Sequence, residues 1–420
     1  MNRDWANEQG AQTSKTPTCL LLKTGLSFDS FGYDAMEKYS NLQDEREEKD
    51  FLFFKHFKMT LHNEESLDST TLIEAANGQP VKAKTVFTRS ITFLKDEAIK
   101  VICQRTGDDH FSPDDVQWVL TVPAIWTPGA KQFMREAAYQ AGVGSPENPD
   151  QLMIALEPEA AAIFCQEKNL SDVQAEVGSR PVDGILSLRS TNQKVVGSTP
   201  RGTLDVTVHE IQDDGNIKEI HKVTGGPYGG MYVNQQFETL LEELFGVQRI
   251  QKFKEQHPSD WLSLMNEFEG KKRGKRILDD SLMTNIRLPR SFVSMLNETQ
   301  SSVMDSYGTK DVRLKNKEYL CLSSGMMKKL FNPVVERIKQ HLKTLMKKPQ
   351  LSKVQTMLLV GGFTDSAFLQ QELKTEFARR LRILIPHYTT IAAVQGAVIF
   401  VILRKYPKES SPQLLAPIVR

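Results

Sequence analysis

The 420-residue chain is poor in the features that announce many functions. It has only four cysteines, Cys19, Cys103, Cys165 and Cys321, with no C-x-x-C pair among them. A zinc site needs clustered ligands and a disulfide scaffold is a short, Cys-dense chain, so both are excluded and free thiols in a reducing cytosol are expected. None of the eight histidines forms an H-E-x-x-H pair, and no nucleophilic triad is evident. His209 lies in an alternating strand pattern and reads as structural. No apolar run approaches the roughly 18 residues of a bilayer span; TCLLL near residue 18 and GAVIFVIL near 396 have core lengths. The N-terminus, MNRDWANEQGAQTSKTP, lacks the apolar core of a secretory signal. Charge of one sign is also missing. A net charge of +1 gives no electrostatic reason to expect nucleic acid or a membrane surface as partner.

What is present is ordinary globular composition, 40% hydrophobic and 25% charged, over a length that suits two or three domains. Strand and helix signals alternate throughout, which points to an α/β fold. TCLLLK, a Thr24-Gly25 turn and LSFDSF read as a hairpin, with Asp34 capping a short helix toward Tyr39. Val81 to Arg105 reads as an amphipathic helix with Val86, Ile91, Leu94, Ala98, Val101 and Ile102 inward. VQWVLTVPAIW (116–126) is a strand stopped by Pro123, and Thr127-Pro128 opens a helix closed by Gly142. LMIAL (152–156) is a strand followed at once by the helix EPEAAAIFCQEK.

Residues 170–201 show weak periodicity and read as a loose loop. Strands resume at Thr203 and return through IKEIHKVT (217–224). Helices are predicted from Tyr232 to Phe245 and from Trp261 to Leu278, then a mixed segment containing TNIRLP. Ser323 suits the N-cap of a helix reaching Lys347, with a break or kink at Pro333. MLLVGGFTDSAFLQ (357–370) reads as a strand, a Gly-Gly turn and a helix. RILIP and a closing helix from Thr390 to Leu403 follow, and the tail after Tyr406 is expected to be disordered.

Several of these runs, in this order, resemble the 70-kDa heat-shock family of actin-like ATPases. TVPAIWTPGAKQFMREAAYQAGV (121–143) and ALEPEAAAIF (155–164) match that family's ATPase domain. TGGPYGGMYVNQQFE, VQWVLTVPAIW and FGY near residue 31 look more like its heat shock 70 kDa protein 12 branch. The resemblance runs from about Thr16 to Phe400, interrupted at 170–201. It implies an α/β, two-lobed actin-like (ribonuclease H-like) fold around a nucleotide cleft. The first lobe would cover 1–169 and the second 202–404, with an inserted subdomain at about 231–316 and a tail at 405–420.

The resemblance also carries roles onto particular residues. Gly361-Gly362 would let the backbone approach nucleotide, and the helix after it would aim its N–H groups at the ligand. Glu269, Lys272 and Arg273, in FEGKKRGKR, match the run that holds adenine and ribose. Gly229-Gly230 matches a glycine pair near the phosphates, and Lys58 matches the phosphate-orienting lysine. Glu157 matches a glutamate that helps organise Mg²⁺ and water. Gly202, Thr203 and Asp205 match the surviving end of the phosphate hairpin D-x-G-G-G-T-x-D-V. Taken alone, each has a bland reading: Gly-Gly turns are common packing devices, KKRGKR reads as a solvated charge run, and Glu157 suits a helix start.

The match fails where phosphate would be held. An initial D-x-G-T hairpin is not found before KTPTCLLL, which would leave the first lobe incomplete with an unpaired sheet edge. Ser198 stands for the hairpin's leading carboxylate, and Pro200 and Arg201 stand for two glycines. Proline has no N–H, and arginine meets a cost of about 1–2 kcal/mol in a left-handed backbone. No peptide-binding domain is recognisable. The expected protein is therefore a cytoplasmic, catalytically impaired relative that keeps the adenosine side for ATP or ADP, with a degraded Mg²⁺ site, and works through protein partners. Two alternatives stay open: an active chaperone-type ATPase with rebuilt phosphate contacts, and a truncated or mis-spliced product.

Overall fold

The computed structural model describes residues 5–6, 12–13, 15–63, 67–68, 70–108, 110–165, 185–190, 204–211, 217–226, 228–296, 310–386 and 391–405. Gly202, Thr203, Ser198, Pro200, Arg201 and the tail after Lys405 lie outside these residues.

The apolar run TCLLLK forms β1 (Cys19–Lys23), flanked antiparallel by β2 (Phe28–Phe31) and β3 (Phe51–Lys55). Leu20, Leu22 and Phe54 face one hydrophobic cluster, while Cys19, Leu21 and Phe53 face another. Burial on both faces is why this strand reads as a continuous apolar run instead of alternating. The second cluster is closed by α1 (Tyr33–Glu45), whose Tyr39 stacks on Phe53 at 4.4 Å. Asp34 does not cap this helix: it sits within the first turn, and the N-cap is Gly32. Gly32 has φ +73°, and a Cβ there would come within 2.0 Å of Thr16 Oγ1, so only glycine fits.

Helix α2 (Ala83–Thr106) buries Val86, Phe87 and Ile91 against the same core. Leu94, expected inward, is 44% exposed. The inward stripe shifts by one residue to Phe93, which packs on Phe28 and Phe31. Strands β6 (Trp118–Val122) and β7 (Leu152–Leu156) run parallel, with β4 (Leu72–Glu74) and β5 (Pro80–Lys82) forming a small hairpin earlier. Between β6 and β7 lies α3 (Pro128–Gln140), capped by Thr127 through the Ala130 N–H. The helix α4 (157–165) follows β7 directly.

A five-stranded sheet carries the rest, in the order β10-β9-β8-β14-β15: β8 (Ile185–Ser190), β9 (Leu204–Ile211), β10 (Ile217–Gly226), β14 (Thr356–Val360) and β15 (Arg382–Leu384). β8 corrects the expectation of a loose loop over 170–201, because it is the central strand. It pairs antiparallel with β9 and parallel with β14. The first strand of the hairpin therefore ends at Ser190, well before Ser198. Leu204, Val206, Val208, Met357 and Leu359 face the largest core, whereas Leu358 and Val360 face Ala161, Phe164, Ala392 and Ala393.

Helices α5 (Met231–Phe245), α6 (Val247–Gln256) and α7 (Pro258–Lys272) follow. The helix expected over 261–278 instead starts at Pro258, which suits a first helical position, and ends before Gly274. β11 (Met283–Arg287), β12 (Val312–Lys315) and β13 (Tyr319–Ser323) form a second sheet, of which only β11 was legible. Ser323 caps α8 (Ser324–Met346) through the Met326 N–H, and the helix continues through Pro333 without a break. α9 (Ala367–Phe377) and α10 (Ala392–Lys405) complete the fold. Residues from 231 to 323 share their main core with the five-stranded sheet. Among the described residues no helix is long and apolar enough to cross a membrane.

Candidate functional site

Parallel strands gather ligands at their C-terminal ends. Here β6 and β7 end just before Trp126 and Glu157, and β14 ends at Val360, just before Gly361. Register ties the hairpin to the same sheet end, since Arg189 stands opposite both Asp205 and Val360. Asp205 and the Gly361 turn thus lie at the same end of the sheet, with β8 between their strands.

Gly361 has φ +99°, a backbone that requires glycine, and its carbonyl accepts from Thr364 Oγ1 at 2.6 Å. A Cβ on Gly362 would meet nothing within 4 Å, so its space is open. The helix expected straight after the turn begins only at Ala367. Residues 362–365 form a single 3₁₀ turn, and the Ser366 hydroxyl accepts from the Leu369 N–H. The first turn of α9 is therefore partly capped by its own side chain.

Glu269, Lys272 and Arg273 come together at the end of α7. Lys272 is 2% exposed, yet its three donors find three acceptors: Gly230 O at 3.0 Å, Asn234 Oδ1 at 2.7 Å and Glu269 Oε2 at 2.5 Å. Asn234 also donates to Glu269 Oε2 at 2.9 Å. Arg273 donates to Glu269 Oε1 through Nε and Nη2, at 3.3 and 3.0 Å. Burial works to raise the Glu269 pKa, but Lys272, Arg273 and the Lys272 and Asn234 hydrogen bonds outweigh it and hold the carboxyl well below the usual range. Phe237 stacks on Phe268 at 3.9 Å and fixes α5 against α7 beneath the network. Sequence reasoning missed Asn234; its spacing of four from Gly230, at the start of α5, was the available signal. The Gly229-Gly230 pair contributes a carbonyl, and Gly230 has an ordinary helical φ of −62°.

Tyr33 approaches the network from α1. Burial raises its pKa, with Arg273 lowering it and Glu269 raising it further. α1 packs along α7, and Ser259 Oγ donates to Asn41 Oδ1 at 3.2 Å further along this contact.

Lys58 and Glu157, distant in sequence, form a second network. Lys58 Nζ lies 3.0 Å from Glu157 Oε1, and Glu157 is 2% exposed. The Lys58 ammonium also sits over the Trp126 ring, 5.4 Å from its centroid. The structure thus brings together two candidate residues that lie 99 positions apart in the chain.

Behind the hairpin, Asp205, Thr207 and His209 are buried on the sheet face opposite Val206 and Val208. Burial pushes His209 down to about 4. Glu159 is pushed up to about 7 by burial and by Glu219, with Lys131 opposing. The two act in opposite senses. His209 adds stability above its unfolded pKa and loses it as pH falls toward 4; Glu159 adds stability below its unfolded pKa and loses it as pH rises through 7. Stability should therefore be nearly flat between pH 7 and 5. In His209→Gln it should rise by about 2 kcal/mol on the same acidification, and in Glu159→Gln it should fall by about as much. Urea unfolding at the two pH values checks both signs.

The Glu269 carboxylate is taken up within the network, and the part open to a ligand is the planar guanidinium of Arg273, 42% exposed, a group that could stack on an aromatic base. Lys272 is spent on the protein itself. Among the described residues no group of three or more His, Cys, Asp or Glu could hold a metal ion.

No protein-family model matches the chain. Over 442 aligned residues it is 37% identical to heat shock 70 kDa protein 12A of Mus musculus, a match covering 95% of this chain and 65% of that protein. Heat shock 70 kDa protein 12A of Homo sapiens is 36% identical over the same shares, and heat shock 70 kDa protein 12B of Homo sapiens is 36% identical over 95% of this chain and 64% of that protein. The chain spans about two thirds of the length of these curated relatives. Near-complete coverage of this sequence at such identity places it, with its mixed α/β architecture, in the heat shock 70 kDa protein 12 branch of the 70-kDa heat-shock family.

Proposed function

We propose that the chain is a nucleotide-binding-domain protein of two lobes that retains adenosine recognition, has lost efficient ATP hydrolysis, and acts through protein partners in the cytosol. The observation that carries this reading is the contrast between the two sides of the cleft. On the adenosine side, Glu269, Lys272 and Arg273 are locked with Asn234 and Gly230 into one network. On the phosphate side, Ser198 stands where the hairpin motif carries its leading carboxylate, and the register partner of Asp205 across β8 and β9 is Arg189. Neither Ser198 nor Arg189 is an acid.

Affinity should then depend on adenine and little on phosphate number. In calorimetric titrations AMP, ADP and ATP should bind within about threefold of one another, and Lys272→Ala should abolish all three by dismantling the network. A strong preference for ATP would show that the phosphate site has been rebuilt. That second reading, an active ATPase, is favoured by one observation, the assembled Lys58–Glu157 pair. Without differential affinity for ATP over ADP, nucleotide cannot drive lobe closure as a switch, which leaves protein contacts as the output.

A further inference from the structure

We propose that Trp126 is a positioning residue for Lys58, holding its ammonium at the phosphate end of the cleft through the indole face. This inference rests on the nucleotide-cleft reading above for its ligand, a nucleoside di- or triphosphate, but its geometry stands on its own.

Three segments converge to make the arrangement. β6 stops at Pro123, and the Trp126 N–H donates to the Pro123 carbonyl at 3.3 Å, so that 123–126 turn back on themselves. The turn leaves Trp126 only 4% exposed, in the cluster that contains Phe57, Phe87 and Phe133. Phe57 packs edge-on to Phe87 at 5.1 Å, and Phe87 edge-on to Phe133 at 5.5 Å. That chain of rings anchors the 3₁₀ turn Phe57–Met59, which carries Lys58. The turn is entered through His56 at φ +58°, in the left-handed region. The ammonium of Lys58 then lies 5.4 Å from the indole centroid and 3.0 Å from Glu157 Oε1.

The chemistry of the two supports differs. A carboxylate fixes an ammonium by cancelling its charge. An aromatic face attracts the same ammonium through its quadrupole and adds no negative charge. With a second carboxylate in place of Trp126, the pair would become net negative and repel a phosphate. With an aliphatic residue there, the four-carbon stem of Lys58 would recover its many rotamers. Tryptophan gives orientation while keeping the local charge compatible with an anionic ligand. Neither composition nor the sequence match singles out Trp126 for this task.

The test keeps the shape of the ring and changes only its face. Trp126 is replaced site-specifically by mono-, di- and tetrafluorotryptophan in the full chain, each fluorine weakening the negative face. Lys58 is followed by pH titration of ¹³Cε-lysine resonances, assigned by loss of the signal in Lys58→Met. The Lys58 amine should become stepwise more acidic along the series, and ADP affinity should fall about twofold across it while adenosine affinity stays constant. An unmoved Lys58 titration overturns the proposal, because a purely steric wall would not respond to fluorination. Parallel losses for ADP and adenosine also overturn it, reducing Trp126 to scaffold. If the unmodified chain binds neither ligand, the nucleotide reading fails, and the Lys58 titration still decides the role of Trp126.

Discussion

ATP turnover by the purified chain should be indistinguishable from background. Phosphoryl transfer relies on positioning and on charge stabilisation, and the removal of single stabilising groups in such sites costs on the order of 10² to 10⁵ in rate. In the hairpin motif six residues separate the two carboxylates. Here Ser198 stands for the first of them, the register partner of Asp205 is Arg189, and Pro200 and Arg201 stand where the motif has glycines. Against the motif, the sequence thus lacks the leading acid and two of the glycines whose N–H groups would form the cradle. Ser198→Asp alone should not restore turnover, since it returns the carboxylate without the cradle. Phosphate release with and without Mg²⁺ measures the effect. Robust Mg²⁺-dependent hydrolysis that disappears in Glu157→Ala would sink the idea and establish the active reading.

The same residues explain what could be seen in the sequence. Strands buried on both faces, such as Cys19–Lys23 and Thr356–Val360, are continuous apolar runs and were legible. The caps Thr127 and Ser323 were legible because their hydroxyls act locally, on N–H groups three residues ahead. β8 was not, because ILSLRS is short and lies among Ser- and Gly-rich sequence; only its pairing with β9 and β14 reveals it. β12 and β13 were hidden too: they are short, and although they pair with each other as a tight hairpin, β13 takes its second partner, β11, from much earlier in the chain. At the site, the motif residues Glu269, Lys272 and Glu157 could be named from order alone. Asn234 and Trp126 could not, because their roles exist only through contacts made across 38 residues to Lys272 and from Trp126 to Lys58.

Glu269→Ala should be among the most destabilising single substitutions in the molecule, at about 3–5 kcal/mol. The reason lies with its partner. Lys272 is 2% exposed, so removing the carboxylate leaves an ammonium buried with only a carbonyl and an amide oxygen for company. Burial already draws the Lys272 pKa down, and Glu269 is the group that opposes it. Arg273→Ala, by contrast, loses an exposed arm of the same network and should cost no more than about 1 kcal/mol. Replacing both members with apolar groups of similar volume, Glu269→Leu with Lys272→Met, should recover most of the loss, because the charge that made the single change expensive is gone. Acid should expose the same pair: a carboxyl held below its unfolded pKa adds stability above that value and forfeits it as pH falls, so the wild-type chain should lose stability below about pH 4.5 more steeply than Glu269→Gln. Urea unfolding of the four variants and the wild type settles the order. Equal costs for Glu269→Ala and Arg273→Ala would mean that Lys272 reaches water without its carboxylate, and the cluster at the end of α7 would then be a surface charge run instead of a locked network.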